Sequence, residues 1–384
     1  MNYISAKTIY TGKKVVSNAH LLFNGKKISS ISKTKTGRGL GKFDVLTPAF
    51  IDPHSHIGME RAGEPNTEGE ANEHQDPILV LTDALDSIQM DDKALKDAVE
   101  MGVLYSCVLP GSGNIIGGLS AVIRNYAASS TDALITRAGL KGAFGFNPMK
   151  TKAWKGKRPT TRMGAVAMLR SRLDEVRQKI QKYRKARGIK KEDIQFSAED
   201  VVLRNLLSRK IHLRSHVHKI DDIAALLRLV DEFKIKVTVD HAGDVHRPEI
   251  FQELKKRKIP VVYGPIDSFA YKVELKHEDR RNVRYLVESG VDFGLMTDHP
   301  VTLARQLLLQ TRWFLRAGLS KQQAIELISR RNSKILGIDD RLGTLEKGKW
   351  ASFVCWNGDP FDLASYPVAV YGEGQLLYAA SSGS

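Results

Sequence analysis

Two histidines one residue apart, His54 and His56, close the run Pro48-Ala-Phe-Ile-Asp-Pro-His-Ser-His56. Alternate residues of an extended strand point to one face, so this spacing delivers two imidazoles to one place. Neutral imidazole is a common zinc ligand, and a catalytic metal needs about three protein ligands with one position left open. Further groups of the same kind stand directly after other apolar runs. His216 and His218 follow Ile211-His-Leu-Arg-Ser, His241 follows Val237-Thr-Val-Asp, and Asp298 follows Phe293-Gly-Leu-Met-Thr. A single histidine of this sort is commonly a packing or capping residue. Imidazoles and a carboxylate from four separate strand-like runs point instead to a shared metal centre.

The elements that must position these groups can be read from periodicity. Up to residue 47 the chain carries short runs, Thr8-Ile-Tyr, Val15-Val, His20-Leu-Leu-Phe and Ile28-Ser-Ser-Ile-Ser, broken by Thr-Gly, Asn-Gly and Gly-Arg-Gly turns, which is all-β material. After His56 comes a polar loop, MERAGEPNTEGEANEHQDP, then a helical stretch from Asp91 to Met101 and a buried strand Val103-Leu-Tyr-Ser-Cys-Val-Leu. Helices over 220–233, 248–256 and 279–288 then alternate with strands over 236–241, 259–263 and 291–297. Repeated strand, loop and helix units predict an α/β protein, and a closed (β/α)8 barrel fits them better than an open doubly wound sheet. In such a barrel the chemistry sits at the C-terminal ends of the strands, where the candidate ligands fall.

Composition narrows the function classes. The chain has 384 residues, 42% of them hydrophobic, a mean hydropathy of −0.27 and no apolar run long enough to span a membrane. No charged N-terminal segment followed by a long apolar stretch marks a secretory signal, and the two cysteines, Cys107 and Cys355, lie in separate apolar runs, so a cytoplasmic, reduced protein is expected. The formal charge is +16 and the pI about 9.6, with the basic residues concentrated between Lys150 and Lys191. That run could meet phosphates, which makes a nucleic-acid binder an alternative reading. It also carries an inward stripe, Val166, Leu169, Leu173, Val176 and Ile180, and lacks aromatic interleaving, so a solvated amphipathic helix is the expected form. Gly111, Gly113, Gly117 and Gly118 lack the Lys-Ser/Thr of a phosphate-binding loop and read as a tight loop lining a pocket.

PAFIDPHSH, the His after HLRSH, VTVDH and GLMTDHP, taken in order, resemble the metal-dependent amidohydrolases. HSHIGMERAG, VLPGSGNIIGG, GLKGAFGFNP, RPTTRMG, HVHKIDDI, TDHPV, ILGIDDRLGTLEKGKWA and NGDPFD are similar to blocks of the imidazolonepropionase-related branch over residues 3–378. The resemblance implies a (β/α)8 TIM barrel over 48–342 and a composite β-sandwich from 1–47 and 343–384. It implies His54, His56, His216 and His241 as metal ligands, with Asp298 as a ligand or as the general base. Lys141 is the candidate bridging carbamate, or else a lysine that anchors substrate or a loop. His218, Lys272 and Glu274 are candidate substrate contacts, and Glu60, Arg61, Glu70 and Asn72 a candidate lid. Phe146 stands where that branch tends to carry an acidic residue, so the metal count is one or two; Ser352 stands where an acidic residue is usual before the C-terminal strand, a departure that bears on the sandwich alone.

The expected chemistry is hydrolysis of a C–N bond in a cyclic amide, amide or N-heterocycle. Metal-activated hydroxide would attack, Asp298 would shuttle the proton, and His241 would stabilise the oxyanion. Zinc is the expected metal, with iron and manganese as alternatives, and the partner is a small-molecule substrate rather than nucleic acid or a membrane. A non-catalytic scaffold on the same fold is the second reading, and homo-oligomerisation stays open.

Overall fold

The alternating apolar runs at the start of the chain become four long strands. The computed structural model describes residues 1–149, 158–187, 191–270 and 272–380. Within it lie β1 (Asn2–Tyr10), β2 (Val15–Asn24), β3 (Lys27–Ser32) and β4 (Arg38–Pro48). There follow β5 (Phe50–Ser55), β6 (Val103–Val108), β7 (Ile116–Arg124) and β8 (Leu134–Ala143). Next come β9 (His212–Val217), β10 (Lys236–His241), β11 (Val261–Tyr263) and β12 (Phe293–Leu295). The chain closes with β13 (Phe353–Trp356), β14 (Pro367–Gly372) and β15 (Gln375–Ala379).

These strands form two sheets among the described residues. One has the order β15-β14-β13-β4-β1-β2-β3, so both ends of the chain build it. Its apolar face has its own core, including Ile4, Ile9, Leu21, Phe23, Leu46, Phe353 and Cys355. The other runs from β5 to β12 in chain order. Its two edges meet without a regular ladder. Asp298 N donates to His54 O at 3.1 Å, and the Asn332 amide donates to Ile51 O at 2.7 Å and to Leu295 O at 2.8 Å. Asn332 is fully buried, so its side chain stands in for the missing backbone donors of the seam and leaves a nearly closed barrel. Ser352 Oγ lies 2.7 Å from Tyr105 Oη and accepts the Glu373 N–H, which links the two sheets.

The eight-stranded sheet departs from strict strand–helix alternation at one place. β7 pairs antiparallel with both β6 and β8, while the other neighbouring pairs of that sheet are parallel. Only residues 109–115 separate β6 from β7. A parallel crossover needs about a dozen residues or more, so this connection can only turn back. An all-parallel (β/α)8 ladder is therefore corrected to seven parallel strands with one reversed.

Elsewhere the helices fall where periodicity places them. Helix Lys93–Glu100 starts at Asp92, whose side chain accepts the Ala94 N–H, and helix Ile220–Phe233 buries Ile223, Leu226, Leu227, Leu229 and Phe233. The basic run is a helix over Arg162–Lys185 that buries Ala165, Leu169, Leu173 and Val176. Each such burial stabilises by roughly 1.5–3 kcal/mol for a large aliphatic side chain. Its cations are largely engaged. Arg162 pairs with Asp222 at 2.8 Å, Arg170 with Glu232 at 2.8 Å, and Arg172 and Lys179 both pair with buried Asp200. The solvated-helix reading accounts for these residues, whereas 150–157 and 188–190 of the basic run, and the terminal 381–384, lie outside the described residues.

Candidate active site

Strand ends bring the expected ligands together. His54 is the penultimate residue of β5 and His56 follows that strand, Lys141 lies on β8, His216 lies on β9 with His218 just after, His241 ends β10, and Asp298 follows β12. Two groups result, one ligand atom per residue and all within 4.8 Å in each: His54, His56 and Asp298, and His216, His218 and His241. The groups adjoin, since the His54 and His241 rings are 4.9 Å apart. Asp298 Oδ1 is 3.5 Å from His54 Nε2 and 3.3 Å from His56 Nε2, and its Oδ2 is 4.0 Å from His241 Nδ1. Lys141 Nζ lies 3.1 Å from His54 Nε2.

The imidazoles are held with lone pairs facing inward. His54 Nδ1 lies 2.8 Å from Asp240 Oδ2, His56 Nδ1 2.8 Å from Leu109 O, and His241 Nδ1 3.1 Å from Gly264 O. Each of those oxygens is an acceptor, so the ring proton belongs on Nδ1 and Nε2 keeps its lone pair for the cluster. Burial holds His216 and His241 well below the usual histidine range, with neighbouring imidazoles and the lysines adding to the effect. Burial, then Lys141, pushes His54 down to about 4. Neutral imidazoles are the form that binds a cation.

The charged groups are tuned the same way. Burial lowers Lys141 to about 8, against the pull of Asp240 and Asp298. Burial works to raise Asp298, but the neighbouring His56, His54 and the positive charge of Lys272 outweigh it and hold its carboxyl below the usual carboxylate range. His241 and Asp298 both sit in the left-handed region, at φ 78° and 52°. Such conformations in non-glycine residues cost about 1–3 kcal/mol each, and they persist where the surrounding fold over-determines them.

The substrate candidates flank this cluster. Glu274 is fully buried; its Oε1 accepts the Phe146 N–H at 2.7 Å, and its Oε2, 3.9 Å from His216 Nε2, has no hydrogen-bond partner. Gly145 permits this approach, since a Cβ there would lie 2.4 Å from Glu274 Oε1. His218 is buried with both ring nitrogens lacking hydrogen bonds. Lys272 contributes its positive charge to His216, His218 and Asp298. The glycine loop packs against the long loop after β5, where Gly113 N donates to Asn72 Oδ1 at 2.8 Å. Arg61 there pairs with Glu64 and Glu70.

Comparison with known proteins agrees with this arrangement. A model of the Amidohydrolase family matches residues 197–377. An amidohydrolase from Thermotoga maritima MSB8 superposes with a TM-score of 0.92 at 29% identity, covering 99% of this chain and 100% of that one. The chain is thus similar to amidohydrolases in sequence and in fold. Amidohydrolase tasK of Hapsidospora irregularis is 25% identical over 359 residues, which are 87% of this chain; the chain spans 36% of that relative's length. A prolidase complexed with N-methylphosphonate-L-proline shares the fold, with a TM-score of 0.63 at 15% identity and 98% of each chain covered. The imidazolonepropionase-related branch is not distinguished by these likenesses.

The cluster contains supporting residues that sequence reading did not single out. Asp240 is buried on β10, accepts from His54 and from Thr238 Oγ1 at 2.6 Å, and stays below the usual carboxylate range because His54 and Arg214 outweigh its burial. Asn147 Nδ2 lies 3.2 Å from His216 Nε2. Asp52 accepts from Thr297 across the barrel seam, and burial raises its carboxyl to about 7. The available signal was the sequence Val239-Asp240-His241, an acidic residue inside an apolar run beside a candidate ligand.

Proposed function

We propose that the protein is a metal-dependent amidohydrolase that hydrolyses a C–N bond in a cyclic amide, an amide or an N-heterocycle. The observation that supports this best is the convergence of His54, His56, His216, His241 and Asp298, three of the imidazoles being oriented by acceptors on Nδ1. Five such side chains fit one or two divalent cations, zinc foremost by donor type, with iron and manganese as alternatives. A cation held there supplies Lewis acidity, lowering the pKa of water towards 7 and polarising a substrate carbonyl.

The chain's own groups do the rest. Asp298, ionised and in reach of His54 and His56, takes a proton on its carboxylate and returns it to the leaving nitrogen. His241, with its Nδ1–H on Gly264 O, turns its Nε2 lone pair towards the cation that would polarise the substrate carbonyl. A cationic Lys141 ammonium against His54 would repel a metal, whereas the carbamate that its neutral amine would form with carbon dioxide, releasing a proton, would attract one, so Lys141 would help hold the cations where two bind. Glu274 and His218 present unpaired buried polar atoms suited to a polar substrate. We further assign the barrel to 48–342, the composite β-sandwich to 1–47 and 343–384, and a cytoplasmic setting in which buried Cys107 and Cys355 stay reduced.

The test is a hydrolysis screen over cyclic amides, ureas, dipeptides and N-heterocycles, with wild type and Asp298→Asn in parallel. At least one class should be cleaved by wild type, and the variant should lose about 100-fold or more in rate, the usual worth of a positioned acid–base group. Full activity in the variant would remove Asp298 from the proton transfer.

A further inference from the structure

A third group of potential ligands is separate from the two in the barrel mouth. Asp244 and His246 lie on the loop that follows β10, and His277 lies just beyond the turn Val273–Leu275. One ligand atom from each falls within 4.8 Å of the others. Asp244 is buried, at 1% exposure, and its carboxylate is already oriented: Oδ1 accepts the His277 N–H at 2.6 Å and Oδ2 lies 3.3 Å from His277 Nδ1. His246 Nδ1 lies 2.9 Å from the Asp244 carbonyl, which places its proton there and leaves the Nε2 lone pair available. The two rings are 4.2 Å apart, tilted by 37°.

We propose that Asp244, His246 and His277 form a second divalent-metal site, outside the centre used for catalysis, that takes a borderline cation such as Zn2+ and ties the loop after β10 to the 272–280 segment. Two imidazoles and one carboxylate suit zinc, cobalt or nickel; the hard cations calcium and magnesium need more oxygen donors than this cluster offers. Lys219 Nζ lies 3.2 Å from Asp244 Oδ2 and occupies the place of a cation beside that carboxylate. Its side chain is partly exposed and long enough to swing into solvent when a divalent ion, with twice the charge, competes for the same oxygen. Glu278, the residue after His277, is also a carboxylate with a buried oxygen lacking a partner, so the local surroundings favour added positive charge.

The clamp would act on the mouth of the barrel. A Cβ at Gly243 would stand 3.3 Å from His218 Nδ1 and 3.5 Å from Leu275 Cδ2, so the 242–246 loop packs directly on His218 and on the turn that carries Glu274. A metal bridging the two segments fixes the wall on which Lys272 and Glu274 stand. The inference rests on this cluster alone and holds whether or not the hydrolytic reading does.

The full-length protein, stripped by chelator and reloaded with excess Zn2+, would be desalted and its zinc measured by inductively coupled plasma mass spectrometry. Wild type should retain one equivalent more than His246→Ala/His277→Ala, with the remaining zinc unchanged in the variant. Equal zinc contents would overturn the proposal. Because the double variant removes two part-buried side-chain hydrogen bonds, His277→Gln, at an exposed side chain, provides the second reading by thermal melting. Zinc added beyond the catalytic complement should raise the Tm of wild type and leave that of His277→Gln unmoved; equal shifts in both would also overturn it.

Discussion

Asp240 does for His54 what backbone carbonyls do for His56 and His241: it takes the Nδ1 proton and turns Nε2 towards the cluster. It differs in carrying charge, which makes the imidazole a stronger donor to a cation. Asp240→Ala should therefore weaken metal binding by about 10- to 100-fold, the usual cost of losing such an outer partner, as read by competition with a chromophoric chelator. An unchanged affinity would mean that packing alone orients His54. The histidines proposed as ligands were legible in the sequence because each follows an apolar run, and that placement carries direct meaning at a strand's C-terminal end. Asp240 was not, since an aspartate inside Val237-Thr-Val-Asp-His241 acquires its role only through a ring 186 positions away. The Asp244, His246 and His277 group was hidden for the same reason, two loops meeting without any local spacing to mark them.

At the scale of elements, one side chain serves two carbonyls at the barrel seam. Asn332 satisfies Ile51 O and Leu295 O where no strand ladder joins β5 to β12, and Gly294 leaves it room: a Cβ there would lie 1.7 Å from Asn332 Oδ1. Asn332→Ala should cost about 2–5 kcal/mol, for two buried carbonyls left without a donor, measured as a drop in the urea midpoint at constant slope. Gly294→Ala should destabilise through the clash alone. The start of β9 offers a pH test. Burial, then Arg214, Lys236 and Arg209, pushes His212 down to about 4, below its usual value near 6.5 in an unfolded chain. The folded state thus resists protonation, so its advantage is intact above pH 6.5 and shrinks as the pH falls towards 4. His212→Gln should flatten the loss of stability over that window, as followed by urea melts at several pH values. Strand positions and helix faces here were legible from periodicity, but direction was not. β7 is buried almost throughout, as a parallel barrel strand would be, and only the short link over 109–115 reveals that it reverses.

For the whole molecule, the formal charge of +16 need not mean a polyanion partner. On helix Arg162–Lys185 the cations answer carboxylates on helices Ala198–Leu207 and Ile220–Phe233, and so hold that layer against the barrel. No helix among the described residues is long and apolar enough to cross a membrane. Five strand ends of the eight-stranded sheet bring the proposed nitrogen and oxygen ligands to one mouth. That these ligands hold metal is the central claim, and it can be measured without knowing the substrate. Elemental analysis of the purified protein should find bound zinc, iron or manganese, and His216→Ala/His241→Ala, checked for folding, should lose at least one equivalent. A wild-type protein that carries none of these metals, and takes up none when they are supplied, would contradict the account.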